Sequence, residues 1–206
     1  MGCASEQVDR STRADRFGAW AFRQRSWLPV PLALVLVLVR RAETEAAWLS
    51  FVGPGLVLMG QALRLWSVRH IGTVSRTRTS RFGPLITDGP YAVLRNPLYV
   101  GNWLLWTGFT IWSALLWMLP IVWGAFLLQY GAITRWEEGR LRSHFGSSYE
   151  TYAHIVPRWR PQWSALTRAL STSASHPWRE VFFSERGTLL AVGAMSLLLV
   201  MKQIRS

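Results

Sequence analysis

Apolar and polar positions fall in long blocks along this chain, not in the alternation of a strand. Residues 1–26 are polar and rich in arginine, with a surface helix expected near Phe17 to Phe22. An apolar run follows from Trp27 to Val39. Pro29 and Pro31 stand near its start, where a helix accepts proline. The run is short for a membrane span, which needs about 20 residues. Arg40, Arg41, Glu43 and Glu45 make a brief polar loop. Ala46 to Val68 has the length of a span, and Gly53, Gly55 and Gly60 give it small faces for close helix packing. Arg64, near its far end, is expected to snorkel to the interface, with a polar cavity as the less favoured alternative. A polar connection from Arg69 to Asn96 carries Arg76, Arg78, Arg81 and Arg95. Pro97 to Thr134 is apolar almost throughout and fits two antiparallel helices, with the turn between Ser113 and Pro120. Helical spacing then continues past the apolar stretch through Trp136 to Phe145, and Gly146 is a plausible stop. A polar segment extends to Arg186, and Thr188 to Met201 is a last apolar run of marginal length.

This pattern predicts an all-α integral membrane protein with about five transmembrane helices: four core helices and the C-terminal run. The arginine-rich segments 1–26, 69–95 and 135–186 would share the cytoplasmic face under the positive-inside rule. The domain organisation expected is a tail (1–26), two N-terminal membrane helices (27–68), a core (69–161), and a linker with a C-terminal helix (162–206). Composition sharpens this picture. Half of the residues are apolar and 13 are tryptophan, a residue enriched where indole rings meet the membrane–water interface. The net charge of +12 could signal nucleic-acid binding, but the arginines lie between apolar runs, which fits loops facing anionic lipid. The expected partner is the bilayer, with no nucleic acid. Cys3 is the only cysteine, so an intrachain disulfide and a cysteine-based metal site are both excluded.

Candidate chemistry gathers in two places. Between Thr87 and Gly101 stand Tyr91, Arg95, Asn96, Pro97 and Tyr99, bounded by the breaks Gly89-Pro90 and Asn96-Pro97. On composition alone these are interfacial anchors or a ligand site. Glu137-Glu138 is the second place: two carboxylates directly after an apolar helix. They could be a solvated helix end, with Glu138 paired to Arg142 at i, i+4. They could equally bind ribose hydroxyls or a cation, because a carboxylate accepts hydrogen bonds in pairs. His70, His144, His154 and His176 show no metal-ligand spacing, and no glycine-rich phosphate loop is present.

Gly89-Pro-Tyr-Ala-Val-Leu-Arg-Asn-Pro-Leu-Tyr-Val-Gly101 resembles the G-x-Y-x-x-x-R-H-P-x-Y-x-G signature of isoprenylcysteine carboxyl methyltransferases and their bacterial, phospholipid methyltransferase-like relatives. Glu137-Glu-Gly-Arg-Leu141, Phe145-Gly-Ser-Ser-Tyr149-Glu-Thr-Tyr152 and Val156-Pro-Arg158 are similar to that family's second block. The resemblance covers roughly residues 69 to 161. It departs at Asn96, where the family usually has His.

The resemblance implies an integral membrane methyltransferase that uses S-adenosylmethionine, held in a cytoplasmic cofactor-binding region. Leu85, Ile86, Tyr91, Arg95, Asn96, Pro97, Tyr99 and Glu137 would bind it. The acceptor implied is amphiphilic, a prenylated or otherwise lipidic carboxylate on a small molecule or protein. Arg135 is a candidate for the acceptor's anionic group. Methyl transfer to a carboxylate needs no general base, so alignment and desolvation would carry the reaction. Glu138 and Arg135 are the candidates for any catalytic role. The implied location is a bacterial inner (plasma) membrane or the endoplasmic reticulum, with the site facing the cytoplasm. Two alternatives stand beside this reading. One is an NADPH-dependent sterol or enone reductase-like protein, with Arg76, Arg78 and Arg81 for the 2′-phosphate. The other is a non-enzymatic degenerate relative.

Overall fold

The computed structural model describes residues 15–39, 47–72 and 83–205. Most of these residues are helical, with no strand among them. Helix α1 covers residues 15–23 and α2 is Val30–Leu38. They are followed by α3 (Leu49–Ile71), α4 (Pro90–Val93), α5 (Pro97–Trp112), α6 (Leu119–Phe145), α7 (Ser147–Ile155), α8 (Leu166–Ser171) and α9 (Trp178–Arg205).

Prolines and glycines punctuate the helices as expected from their backbone preferences. Pro90, Pro97 and Pro120 sit in the first turns of α4, α5 and α6, where a missing N–H breaks no helical bond. Gly146 stops α6 at φ 53°, a conformation that a side chain resists, and its N–H donates to the Arg142 carbonyl at 2.9 Å. The α5–α6 turn lies where the apolar pattern placed it, as a single 3-10 turn at Leu116–Met118.

Three helical runs among the described residues are long and apolar enough to cross a membrane: Leu49–Ile71, Leu116–Phe145 and Trp178–Arg205. They coincide with three of the about five spans expected. Helix α2 has 9 residues and α5 has 16. At 1.5 Å per residue they reach roughly 14 and 24 Å, short of a hydrocarbon core of about 30 Å. The C-terminal helix is longer than its apolar run, because it begins at Trp178 and takes in Glu185. Phe51, Leu58, Leu127, Leu128 and Leu190 project outward from the three long helices, as hydrocarbon-facing side chains would.

The tightest packing is between α3 and α5. A Cβ on Gly60 would lie 2.7 Å from the Gly101 carbonyl oxygen and 2.9 Å from the Leu105 nitrogen. A Cβ on Gly108 would meet the Gly53 carbonyl oxygen at 2.7 Å. Gly53 and Gly60 on α3 therefore face Gly101 and Gly108 on α5 with backbones in near contact, the usual use of small residues between apolar helices. Gly55, on another face, has open space. Leu36, Val57, Leu105, Phe109, Leu115, Met118, Val122, Met195 and Leu199 fill one core between α2, α3, α5, α6 and α9. Tyr149, Tyr152 and Val156 form a separate one, with Leu85, Leu141 and Phe145 packed against it. Leu85, Leu141, Phe145, Tyr149 and Tyr152 of this second core also line a cavity.

Candidate functional site

The two motif blocks fold onto each other. The arm after α7 runs back along the segment that joins α4 to α5. The Arg95 N–H donates to the Pro157 carbonyl (3.0 Å) and the Gln162 N–H to the Val93 carbonyl (2.9 Å). The Tyr152 hydroxyl donates to the Tyr91 carbonyl at 2.8 Å. Burial, reinforced by neighbouring Tyr149, pushes the Tyr152 phenol well above its ordinary pKa, so it stays a donor at neutral pH. The Asn96 side-chain amide reaches the Arg158 carbonyl at 3.5 Å.

Glu138 ties this junction to α6. It is buried, and Arg158 grips it in a fork, with Nε 2.8 Å from Oε1 and Nη2 2.5 Å from Oε2. Arg95 stands 3.3 Å away and Arg142 3.7 Å. The fork raises the Arg158 pKa, because Glu138 favours the charged guanidinium. The expected Glu138–Arg142 pair is present but is the weakest of the three contacts. Both Glu138 oxygens are engaged by arginine, which gives this carboxylate a clamping position.

Glu137, one residue earlier, turns to the other side. Its carboxylate accepts the Tyr99 hydroxyl proton at 2.7 Å. The Tyr99 ring packs on Tyr130, centroids 4.8 Å apart, and Tyr130 on Phe126 at 4.6 Å. These groups border a cavity of about 850 Å³, within the usual range for small-molecule sites. Leu85, Ile86, Tyr91, Arg95, Asn96, Pro97, Tyr99 and Glu137 all line it, as does Glu138. Arg135 does not: it is exposed and lies outside the lining, because its position on α6 faces away from the cavity. Arg76, Arg78 and Arg81 lie outside the described residues. No group of three or more His, Cys, Asp or Glu that could hold a metal ion occurs among the described residues.

The cavity also has a wall that the sequence did not reveal. Arg64 does not snorkel. It is 5% exposed, and its Nε and Nη2 donate to Glu185 Oε2 of α9 at 3.1 and 2.7 Å. Nη2 also reaches Thr188 Oγ1 at 3.2 Å, and Nη1 donates to Asn102 Oδ1. The Asn102 amide in turn donates to the Tyr130 hydroxyl at 2.9 Å. Arg64, Asn102, Tyr130 and Thr188 line the cavity. The available signal was a charge inside an apolar helix, which favours a buried polar partner. From α1 and the segment after it, Phe22, Arg23 and Arg25 close another side. Helix α1 is held on α6 where Gly18 meets Trp136 and the Ala132 carbonyl.

Comparison with known proteins supplies the remaining findings. Residues 48–148 match the family described as Phospholipid methyltransferase. The chain is 30% identical over 177 residues to the Cobalt-zinc-cadmium resistance protein CzcN of Cupriavidus metallidurans, covering 84% of this chain and 75% of the relative. It is 28% identical over 177 residues to the Nickel-cobalt-cadmium resistance protein NccN of Alcaligenes xylosoxydans xylosoxydans, covering 84% and 76%. It is also 28% identical over 121 residues to Protein-S-isoprenylcysteine O-methyltransferase B of Arabidopsis thaliana, covering 53% of this chain and 58% of the relative. No solved structure matches the chain.

Proposed function

This chain belongs to the phospholipid methyltransferase family of membrane methyltransferases, isoprenylcysteine methyltransferase among its relatives, and on that footing we propose that it transfers a methyl group from S-adenosylmethionine to the carboxylate of a membrane-embedded lipidic acceptor. The observation that carries the reading is the convergence of Tyr91, Arg95, Asn96, Tyr99 and Glu137 on one cavity, from motif blocks in which Tyr99 and Glu137 stand 38 residues apart.

The donor set suits the cofactor. Glu137 offers carboxylate oxygens to hydroxyls or an ammonium group, the Tyr91 and Tyr99 rings offer flat apolar surface, and the arginines offer donors to a carboxylate. Bound, the cofactor supplies an electrophilic methyl on a sulfonium. The residues' task is to align an already nucleophilic acceptor with that methyl and to keep water out. Tyr99 orients Glu137 through its hydroxyl, and the Glu138 clamp fixes the segment carrying Arg95 and Asn96 against α6.

Calorimetric titration of the detergent-purified protein with S-adenosylmethionine tests the assignment. Glu137→Ala and Tyr91→Ala are each expected to weaken binding at least tenfold. Wild-type affinity in both variants would overturn it. Incubating membranes with radiolabelled methyl donor then identifies the acceptor class by whether label enters lipid, protein or small molecule.

A further inference from the structure

Helix α1 has two faces in different surroundings. Its inner face is built onto α6. A Cβ on Gly18 would lie 2.5 Å from the Trp136 Cβ and 2.8 Å from the Ala132 carbonyl oxygen, and Ala21 is fully buried. Ala21 and Phe22 pack in one cluster with Tyr99, Phe126 and Tyr130, the aromatic row that ends on Glu137. A ladder extends this seam. Arg25 lies 3.9 Å over the Phe22 ring, Phe22 meets Trp136 at 5.2 Å, and Arg140 stands 5.0 Å over Trp136. Ala19, Phe22, Arg23 and Arg25 border the large cavity. The outer face has no such covering. Phe17 and Trp20 stack at 5.7 Å and stand about half exposed. They border an apolar groove with Leu28 and with Leu128, which projects outward from a membrane-crossing run. Arg16 and Arg23 are exposed on the same helix, whose one acid is Asp15.

We propose that α1 docks its Phe17–Trp20 face onto an anionic lipid surface, and that this contact holds it in place as a wall of the cavity. A helix with exposed aromatic side chains and arginines beside them lies flat at a membrane interface, drawn by apolar burial and by anionic head groups together. The depth of α1 agrees. Gly18 meets α6 between Ala132 and Trp136, which bracket Arg135, the first charge after the apolar stretch. Hydrocarbon gives way to head groups at that level. Leu128, 74% exposed, edges the same groove and faces acyl chains, so lipid is the partner continuous with this surface. The two faces of α1 are coupled. Without lipid outside, only the Gly18–Trp136 seam and the ladder hold the helix. A wall that swings out takes Ala21 and Phe22 away from the aromatic row that orients Glu137. Lipid charge is then read as retention of the cavity's ligand, a step that rests on the methyl-transfer reading above. Helix α1 lies before residues 48–148, so this device is separate from the two motif blocks.

Hydrogen exchange on the full chain tests this, in nanodiscs of phosphatidylcholine alone or with phosphatidylglycerol added. Phosphatidylglycerol should raise protection of the α1 amides by about tenfold or more, since each arginine near an anionic surface contributes about fivefold. Amides of α3 and α5 should stay unchanged, and they identify a variant that has merely unfolded. Arg16 lies outside the cavity lining, and Arg16→Glu should abolish the rise. The double variant Phe17→Ser/Trp20→Ser should lower α1 protection in both membranes. From wild type, S-adenosylmethionine should dissociate about fivefold more slowly in the anionic nanodiscs, and from Arg16→Glu at one rate in both. Equal α1 protection of wild type in the two lipids overturns the docking, a comparison that needs no variant. So does a rise that survives both variants, or protection that appears only with two copies in one nanodisc, which would make the face a self-association surface. Lipid-dependent protection with an unchanged dissociation rate overturns the role as a wall. Lipid-dependent protection in a wild-type protein that binds no cofactor supports the docking and removes the methyl-transfer reading instead.

Discussion

Replacing Glu138 by alanine is expected to loosen the junction between α6 and the arm after α7 while leaving the long helices packed. The carboxylate is 3% exposed and faces three arginines of unequal burial: Arg95 at 13%, Arg158 at 33% and Arg142 at 45%. Removing one partner of a buried ion pair costs about 3–5 kcal/mol, since the other charge is stranded. Arg95 comes closest to that case. The Arg142 contact is long and well solvated, so it is worth under about 1 kcal/mol. Arg158 makes two charge-assisted bonds but keeps access to water, which holds it to roughly 1–2 kcal/mol. The loss for Glu138→Ala is then on the order of 3 kcal/mol, about a hundredfold in the local opening equilibrium. Hydrogen exchange of the amides in α7 and residues 156–162 reads that equilibrium directly. Protection there should fall about a hundredfold in Glu138→Ala, tenfold in Arg158→Ala and less than fivefold in Arg142→Ala, while α3 and α5 amides stay unchanged. Equal small effects from all three substitutions would refute the clamp, as would loss of protection spread evenly through the protein.

Gly60→Leu should destabilise the fold by about 3 kcal/mol or more, because the new side chain meets the backbone of α5. Gly55→Ala should be neutral or stabilising by up to about 1 kcal/mol, and comparing the two thermal unfolding temperatures checks the seam. Tyr152 has its pKa raised by burial, so its neutral form stabilises the folded state fully below about pH 10, and that stability is lost as pH rises from there toward the folded value. Tyr152→Phe should therefore lose about 1 kcal/mol at neutral pH and show a shallower alkaline decline in chemical unfolding. Asn96 makes only a 3.5 Å contact, so Asn96→His should leave stability nearly unchanged. It should tighten S-adenosylmethionine binding about threefold to tenfold by calorimetry, through the added ring surface.

The sequence was most legible where one short segment carries its own instructions. Pro97, Pro120 and Gly146 marked helix ends because each acts through its own backbone. The continuation of α6 past the apolar stretch was visible in its spacing, and with it the return of Glu137 toward Tyr99. Glu138 was harder. Its i, i+4 partner was apparent, but the stronger grip comes from Arg158, 20 residues on, and depends on how the arm after α7 folds back. Arg64 was harder for the same reason in a stronger form: a polar cavity was the less favoured of its two readings. Its counter-charge, Glu185, lies 121 residues away in a stretch that reads as a polar linker. Nothing local shows that the C-terminal helix starts at Trp178 and carries this acid inward. Apolar composition says how oily a run is, not how many of its residues enter a helix. Val30–Leu38 is the clearest case.

The unbroken course of α6 has a metric consequence. Tyr130 and Glu137 are seven residues apart on one helix, two turns, so both point to nearly the same side with a rise of about 10 Å between them. Both border the same cavity. The separation between their backbone positions is thus close to a whole number of helical turns and cannot drift with loop motion. One alanine inserted between them would swing Glu137 about 100° around the axis, off Tyr99. In this fold, one rod of backbone sets the working length of the cavity.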